Sequence, residues 1–364
     1  MSESKNSNLS QAKRAKNDEF YTQYHDIEKE MQAYLDYNPD VFRNKTILLP
    51  CDDPDWSNFT KYFAQNFERF GIKKLISTSY APASKGLGVS IQPSLLEISD
   101  ERYDKDKHET KGKIFTITRD INNDSRIDIN DLEWNYLEGD GDFRSDEITR
   151  IAQDCDLVIT NPPFSAFREF LAWIVELDKS FAIIGNKNAV TYKELFPLIK
   201  SNKVWSGRTE WSGGMWFETI DENSVDKVVN GIAMKNVSSI WFTNIEHGRR
   251  HEPLQLMTME DNLRYNKKVI KNKEDKNTIY QTYDNYDAIE VGYTDAIPSD
   301  YEDVMGVPIS FLDKYNPEQF TILGCSDNGS VSDKYKLPHF KNHNEPYVDG
   351  SKLYKRIFIK KKGI

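Results

Sequence analysis

Asp156-Leu157-Val158-Ile159-Thr160-Asn161-Pro162-Pro163-Phe164 is the stretch on which the fold turns. Its first half, an apolar and β-branched run entered through an acid, reads as a buried strand. Two prolines then stop it, because neither can donate to a ladder and each fixes its own φ. Helical spacing resumes at Phe167, Phe170, Leu171, Ile174 and Val175, so the pattern is strand, rigid polar turn, helix. In open α/β sheets ligands sit at the carboxyl ends of strands, where this turn falls. An amide side chain and an aromatic ring stand at its lip. By itself Asn-Pro is also a common turn opener, and a plain strand-ending turn is the simpler account of the tetrapeptide.

The rest of the chain supplies a sheet around that strand. Thr46 to Leu49 reads as a short buried strand, the first of the sheet, ending in Pro50-Cys51-Asp52-Asp53-Pro54. A helix follows with Phe59, Tyr62, Phe63 and Phe67 on its core face. Lys74 to Tyr80 reads as the second strand, Ser180 to Gly185 as another parallel one, and Tyr192 to Ile199 as a helix. Met215 to Phe217 and Ser239 to Thr243 read as the later strands that close the sheet. Phe20-Tyr21-Thr22 precedes a helix with apolar positions Ile27, Met31, Tyr34 and Leu35, with Thr22 as a candidate cap. Residues 81–138 look like an insertion.

At 364 residues the chain can bury a sizeable core in one large or two ordinary domains. Three scattered cysteines give no disulfide or metal framework and fit a reducing cytoplasm. No apolar run approaches 18 residues, which predicts no membrane span. A net charge of −10 argues at first against nucleic acid. Residues 100–147, however, hold 15 acids against 8 bases and so account for −7 of it. Bases gather elsewhere: Lys13, Arg14 and Lys16; Arg249 and Arg250; Arg264, Lys267, Lys268, Lys271 and Lys273; Lys355, Arg356 and Lys360 to Lys362. Separated basic patches can serve phosphates under a negative total, although solvated surface lysines are the bland account of any one cluster. Residues 1–17 read as a flexible basic arm.

An amine such as N6 of adenine is a poor nucleophile, because its lone pair is delocalised into the ring. Accepting both its hydrogens, through the Asn161 side-chain oxygen and the Pro162 carbonyl, would favour a tetrahedral nitrogen with the lone pair freed. Phe164 would stack on the base and hold it in line. Asn-Pro-Pro-Phe after an apolar strand resembles the motif of S-adenosylmethionine-dependent amino-methyltransferases. Asp18 to Tyr24, Cys51 to Pro54, Gly141 to Ser145 and Val304 to Pro308 resemble, in order, the EcoRI adenine methyltransferase family, over about residues 12 to 325.

That resemblance implies a Rossmann-like, mostly parallel seven-stranded α/β sheet with helices on both faces, spanning residues 18–245, and a target-recognition region at 246–364. It implies a catalytic turn of Asn161, Pro162, Pro163 and Phe164. It further implies a cofactor site in which Tyr21 and Thr22 lean over the methionine end and Pro50, Cys51, Asp52 and Asp53 form the first loop. Asp52 or Asp53 would meet the ammonium group, while Asp142 and Phe143 bracket the adenine. The loop has no Gly-x-Gly, but an S-adenosylmethionine site has no phosphate to cradle. No acid ends the second strand, so Ser77, Ser79 or Tyr80 would have to serve the ribose. Gly139 to Phe143 is also, by composition, an ordinary surface turn.

The activity so implied is transfer of a methyl group to adenine N6 in double-stranded DNA, on a flipped-out base, by a monomer of a restriction-modification type. N4-cytosine methylation and protein glutamine methylation use related chemistry and remain alternatives. Inside the insertion, Asp120, Asn122, Asp124, Arg126, Asp128 and Asp131 fall at the spacing of an EF-hand-type loop, which predicts a structural Ca²⁺ site. Ser125 stands where that loop has Gly, and Asp131 where it has Glu; an acidic turn without a metal is the competing account. The tyrosines at 280, 283, 286, 293 and 301, interleaved with acids and amides, suit base reading or an extension of the sheet.

Overall fold

The computed structural model describes residues 21–54, 57–81, 100–219, 225–275 (without the side chains of 272–275), 279–337 and 344–363. The basic arm at 1–17, Phe20, the Lys273 side chain and residues 82–99 of the insertion lie outside them. The chain divides into two compact units, residues 1–187 with 207–246, and residues 188–206 with 247–364.

The strands from the start of the chain through Thr243 are β1 (Tyr21–Thr22), β2 (Thr46–Leu49), β3 (Lys74–Ser79), β4 (Lys113–Ile117), β5 (Glu133–Tyr136), β6 (Leu157–Thr160), β7 (Ser180–Asn186), β8 (Trp205–Ser206), β9 (Met215–Glu218), β10 (Lys227–Val229), β11 (Ile232–Val237) and β12 (Ser239–Thr243). The main sheet has the order β5-β4-β3-β2-β6-β7-β12-β8. It therefore has eight strands where seven were predicted. The two-residue β8 is the eighth, where the chain passes from one unit to the other. β3, β2, β6 and β7 run parallel. The insertion adds β4 and β5 to one edge as antiparallel strands, and β12 pairs antiparallel with β7. Antiparallel neighbours need no crossover helix, so an insertion can widen a sheet in this way.

β2 and β6 are buried along their whole length, as strands at the centre of a parallel sheet are. The stop at Thr160 is the one the prolines dictate, and the helix Phe167–Glu176 buries Phe167, Phe170, Leu171 and Ile174 but exposes Val175. The helix Tyr24–Tyr37 buries Ile27, Met31 and Tyr34 and, among them, Glu30. Its N-cap is Gln23, without a side-chain bond, so Thr22 is not the cap. The helix Asn58–Gln65 is capped by Ser57, which accepts from the Phe59 amide at 3.0 Å. Phe42, Phe63 and Phe70 stack around one another beside it. Each such ring contributes on the order of 2–3 kcal/mol by transfer alone.

Met215 to Glu218 does not close the main sheet. It lies in a second sheet, β1-β9-β11-β10, antiparallel throughout. The difference is written in burial: β12 is buried at every residue, whereas β9 alternates, which suits a sheet with one covered face.

The second unit has its own sheet, in the order Ile289–Glu290, Met305–Pro308, Arg356–Lys361, Phe320–Cys325. Met305–Pro308 and Phe320–Cys325 thus extend no other sheet. Tyr283 and Tyr286 are core residues here, packed on Phe358. Among the described residues no helix is long and apolar enough to cross a membrane. None of the three cysteines forms a disulfide.

Candidate functional site

The carboxyl ends of β2, β3 and β6 are tied together by hydrogen bonds that the sequence places far apart. Thr160, the last residue of β6, donates its hydroxyl to the Pro50 carbonyl at 2.6 Å. The Asp52 amide donates to the Thr78 carbonyl at 2.7 Å, and the Ser77 hydroxyl donates to the Asp52 carbonyl. Cys51 takes a left-handed backbone, φ 63°, which turns the chain sharply between buried Pro50 and Asp52. Asn161, Pro163 and Phe164 are half-buried beside this loop and Pro162 is buried.

Asp52 is 5% exposed, and among the described residues its Oδ2 has no hydrogen-bond partner. Burial pushes its carboxyl well above the usual carboxylate range, against a hydrogen bond from Ser57 and with the neighbouring Asp53 charge adding to it. Asp53 is half-buried. A buried carboxylate oxygen left without a donor is an unfilled place for a cation or an N–H group. Thr22 Oγ1 and Thr78 Oγ1 are likewise buried without partners among the described residues.

β1 reaches the site through the second sheet. Thr22 pairs with Phe217 of β9, and the Phe217 ring meets the Phe164 ring edge to face at 6.1 Å. The Thr22 carbonyl accepts from Asn58 Nδ2 at 2.8 Å, at the start of the helix that follows the Pro50 to Asp53 loop. Phe217 was not among the residues the sequence singled out. Its signal was the alternation of Met215 to Glu218, which marks which side chains face inward.

The turn before β6 docks on the end of β3. The Ala81 amide donates to the Asp140 carbonyl at 2.8 Å. Gly141 has φ 87°, and a Cβ there would come within 2.3 Å of the Ser79 carbonyl oxygen, so only glycine fits. Asp142 accepts from Arg144 through Nε at 2.9 Å and Nη2 at 2.5 Å. Burial raises its pKa, but the bonds from Arg144 and Tyr80 outweigh that, and the net shift is downward.

Three sequence expectations change here. Phe143 is 1% exposed, with its ring inside the core against Phe170 and Trp173, so it holds the turn down and does not offer a face to a ligand. Ser77 is fully buried, bonded to Asp52 and Thr60, and cannot meet a ribose. The acidic loop is an Asx-turn network: Asp120 accepts from the Asn123 and Ser125 amides, Asn122 from Asp124, Asp124 from Arg126, and Asp131 from Ile121, Asn122 and Asp128. Among the described residues no group of His, Cys, Asp or Glu is placed to hold a metal ion. Short acids at this spacing bond backbone amides as readily as calcium, which is why the pattern misleads.

A strand-terminating Asn-Pro-Pro-Phe turn thus stands with a buried carboxylate whose Oδ2 has no partner among the described residues. The family model of the adenine-specific methyltransferase EcoRI matches residues 8–362. The chain belongs to the EcoRI family of adenine-specific methyltransferases. It is 39% identical to the Type II methyltransferase M.EcoRI of Escherichia coli over 343 residues, 92% of this chain and 94% of that protein. It is 32% identical to the Type II methyltransferase M.MpnI of Mycoplasma pneumoniae, over 97% of this chain and 98% of that one. With M.MgeORF184P of Mycoplasma genitalium, also a Type II methyltransferase, it shares 33% over 98% of this chain and 99% of that one. No solved structure matches. The match runs through both units, so the second unit is as much part of the EcoRI family pattern as the sheet that carries Asn161.

Proposed function

We propose that this adenine-specific methyltransferase transfers a methyl group from S-adenosylmethionine to N6 of an adenine extruded from duplex DNA, as the modification enzyme of a restriction-modification pair and as a monomer. The parallel centre of the main sheet, with helices on both faces, is read as the Rossmann-like frame for that chemistry. The observation that carries the reading is the Asn161-Pro162-Pro163-Phe164 turn at the end of β6, beside the Pro50 to Asp53 loop.

The cofactor supplies an electrophilic methyl group on a sulfonium. Asp52 fits its ammonium group, since a cation there would satisfy Oδ2 and offset the burial of the carboxylate. Thr22 Oγ1 is a second unfilled donor and acceptor, which would be available to the methionine end of the cofactor. Asp142 accepts from the Arg144 amide, Nε and Nη2 and from Tyr80, so the exocyclic amine of the cofactor adenine would displace one of these donors. Ser79 is buried as Ser77 is, which leaves Tyr80, half-buried just after β3, as the candidate for the ribose.

On the substrate side, Asn161 Oδ1 and the Pro162 carbonyl accept the two N6 hydrogens. The Pro162 carbonyl is fixed before the base arrives, because the prolines hold the backbone. Phe164, backed by Phe217, stacks on the base. The second unit, at 247–364, supplies target recognition, with exposed Arg264, Lys267 and Lys271 set on two helices, Met259–Tyr265 and Lys267–Asp275.

Incubation with methyl-labelled cofactor and either duplex DNA or a protein extract tests the reading: label is expected in N6-methyladenine of the DNA. Asn161→Ala is expected to keep cofactor binding and lose transfer by ~10³-fold, the scale of one lost transition-state acceptor. Transfer retained in that variant would refute the mechanism.

A further inference from the structure

The hairpin formed by β10 and β11 carries a group of apolar side chains that the fold does not use. Val228, Val229 and Ile232 are 64%, 43% and 41% exposed, all within five residues. Asn230 and Gly231 between the strands have φ 51° and 82°, the pair of left-handed residues of a type I′ turn, so the tip is rigid. Val229 and Ile232 face each other directly under that turn, and Val228 pairs with Ala233 on the other side of the ribbon. Valine and isoleucine at a solvent-facing hairpin tip gain nothing by burial and invite association.

The hairpin is anchored in the candidate site. Met234 pairs with Glu218, which pairs in turn with Tyr21, and the next residue of β9 is Phe217, whose ring packs on Phe164. Met234 stands four positions beyond Asn230, so the tip projects about 13 Å beyond the strand end that holds Tyr21. From Lys227 to Val237 the sequence has two lysines and no acid. Lys227 lies 3.5 Å over the Trp216 ring, and Lys235 pairs with Asp226 just outside the hairpin.

We propose that this tip, Val228 to Ile232, enters the DNA duplex and fills the gap that the extruded adenine leaves in the base stack. The inference rests on the DNA methylation reading above and extends it to the step before transfer. Extruding a base costs the stacking and pairing of one position, and an apolar wedge replaces the lost stacking surface. Branched aliphatic side chains suit that place, since they bring no polar group that would need a partner between base pairs. A two-stranded ribbon is also narrow enough to enter a groove.

The test is a triple variant, Val228→Ser, Val229→Ser and Ile232→Ser, compared with the wild type on two duplexes containing the adenine that the wild type methylates. One duplex is intact; in the other the base opposite the target is missing, so extrusion is already easy. Transfer to the intact duplex is expected to fall at least tenfold, with a matching loss of the emission rise from 2-aminopurine at the target position. Transfer to the second duplex is expected within about twofold of wild type. Replacing the same three residues with leucine is expected to restore the intact-duplex rate. Equal losses on both duplexes, or no loss, overturn the proposal. So does a wild-type dimer that the serine variant dissolves while extrusion is unchanged, because the tip would then be a contact between copies. A wild type that transfers to neither duplex refutes the methylation reading, and the proposal with it.

Discussion

At Asp52 two demands on one carboxylate pull in opposite directions. In the cofactor-free fold its burial favours the protonated form, so its pKa lies above the unfolded value near 4. The folded state then binds the proton more tightly, and its contribution to stability is full at low pH and is lost as pH rises through the raised value. Binding a cationic ammonium group needs the ionised form, so affinity for the cofactor is expected to rise over the same interval. Asp52→Asn separates the two effects. It should flatten the fall in melting temperature with rising pH, raise the cofactor-free melting temperature by a few degrees near neutrality, and abolish most of the shift that cofactor produces; differential scanning fluorimetry across pH reads all three. Which acid of the Asp52-Asp53 pair is buried is invisible in sequence, because both follow the same proline-bounded strand. The same blindness explains Ser77 and Phe143, whose residue types fit a binding role but whose side chains are enclosed. Asn161 to Phe164 was legible for the opposite reason: two consecutive prolines permit few backbones, so the turn is nearly determined locally.

Among the elements, the path of β9 decides whether Phe217 meets Phe164, and that path is fixed by a buried acid. Glu30 accepts from the Arg208 and Thr209 amides at 2.7 and 2.9 Å, from the Thr209 hydroxyl at 2.8 Å and from the Tyr34 hydroxyl at 2.8 Å. Burial raises its pKa against those bonds. Gly207 lies so close that a Cβ would fall 2.0 Å from Glu30 Oε1 and 2.7 Å from Trp241 Cβ. Glu30→Gln turns one acceptor into a donor facing an amide N–H, which is expected to destabilise by about 2–4 kcal/mol, read from urea midpoints. Gly207→Ala should be at least as damaging. The sequence did hold a sign of this: Glu30 stands three residues after Ile27 and one before Met31, on an otherwise apolar helical stripe, and a charge there needs partners. The acidic loop gives the reverse case, where a pattern was present and its meaning was not. Asp131 is buried and bonds three amides, and its pKa is lowered: burial works against this, but the hydrogen bonds from the Asp128, Ile121 and Asn122 amides outweigh it. Asp131→Ala is therefore expected to lower the melting temperature by the same amount with calcium or with a chelator.

For the molecule as a whole, a negative total charge has to be reconciled with a polyanionic substrate, and the basic clusters do not contribute equally. Arg249 pairs with Asp313 at 2.9 Å, with both side chains largely covered. Arg250 lies 3.6 Å over the Trp205 ring and donates to Asn202. Arg356 binds Glu290 through Nε and Nη2 and holds the second unit's sheet to Tyr283. Such pairings are hidden in sequence because the partners are distant, 66 residues apart for Arg356 and Glu290. These arginines serve the fold of the second unit, whereas Arg264, Lys267 and Lys271 are exposed and suited to phosphates. The two kinds separate by salt dependence, since each phosphate contact contributes about 0.9 to the slope of log K against log salt. Lys267→Ala and Lys271→Ala are each expected to reduce that slope by up to about one and to weaken binding to all duplexes alike, with the melting temperature unchanged. Arg356→Ala is expected to leave Glu290 as an unpaired buried charge and to destabilise by about 3–5 kcal/mol. Its residual folded protein should bind DNA with the wild-type slope. A salt titration that gave Arg356→Ala the reduced slope, and the two lysine variants the wild-type one, would reverse this division of the basic residues between fold and substrate.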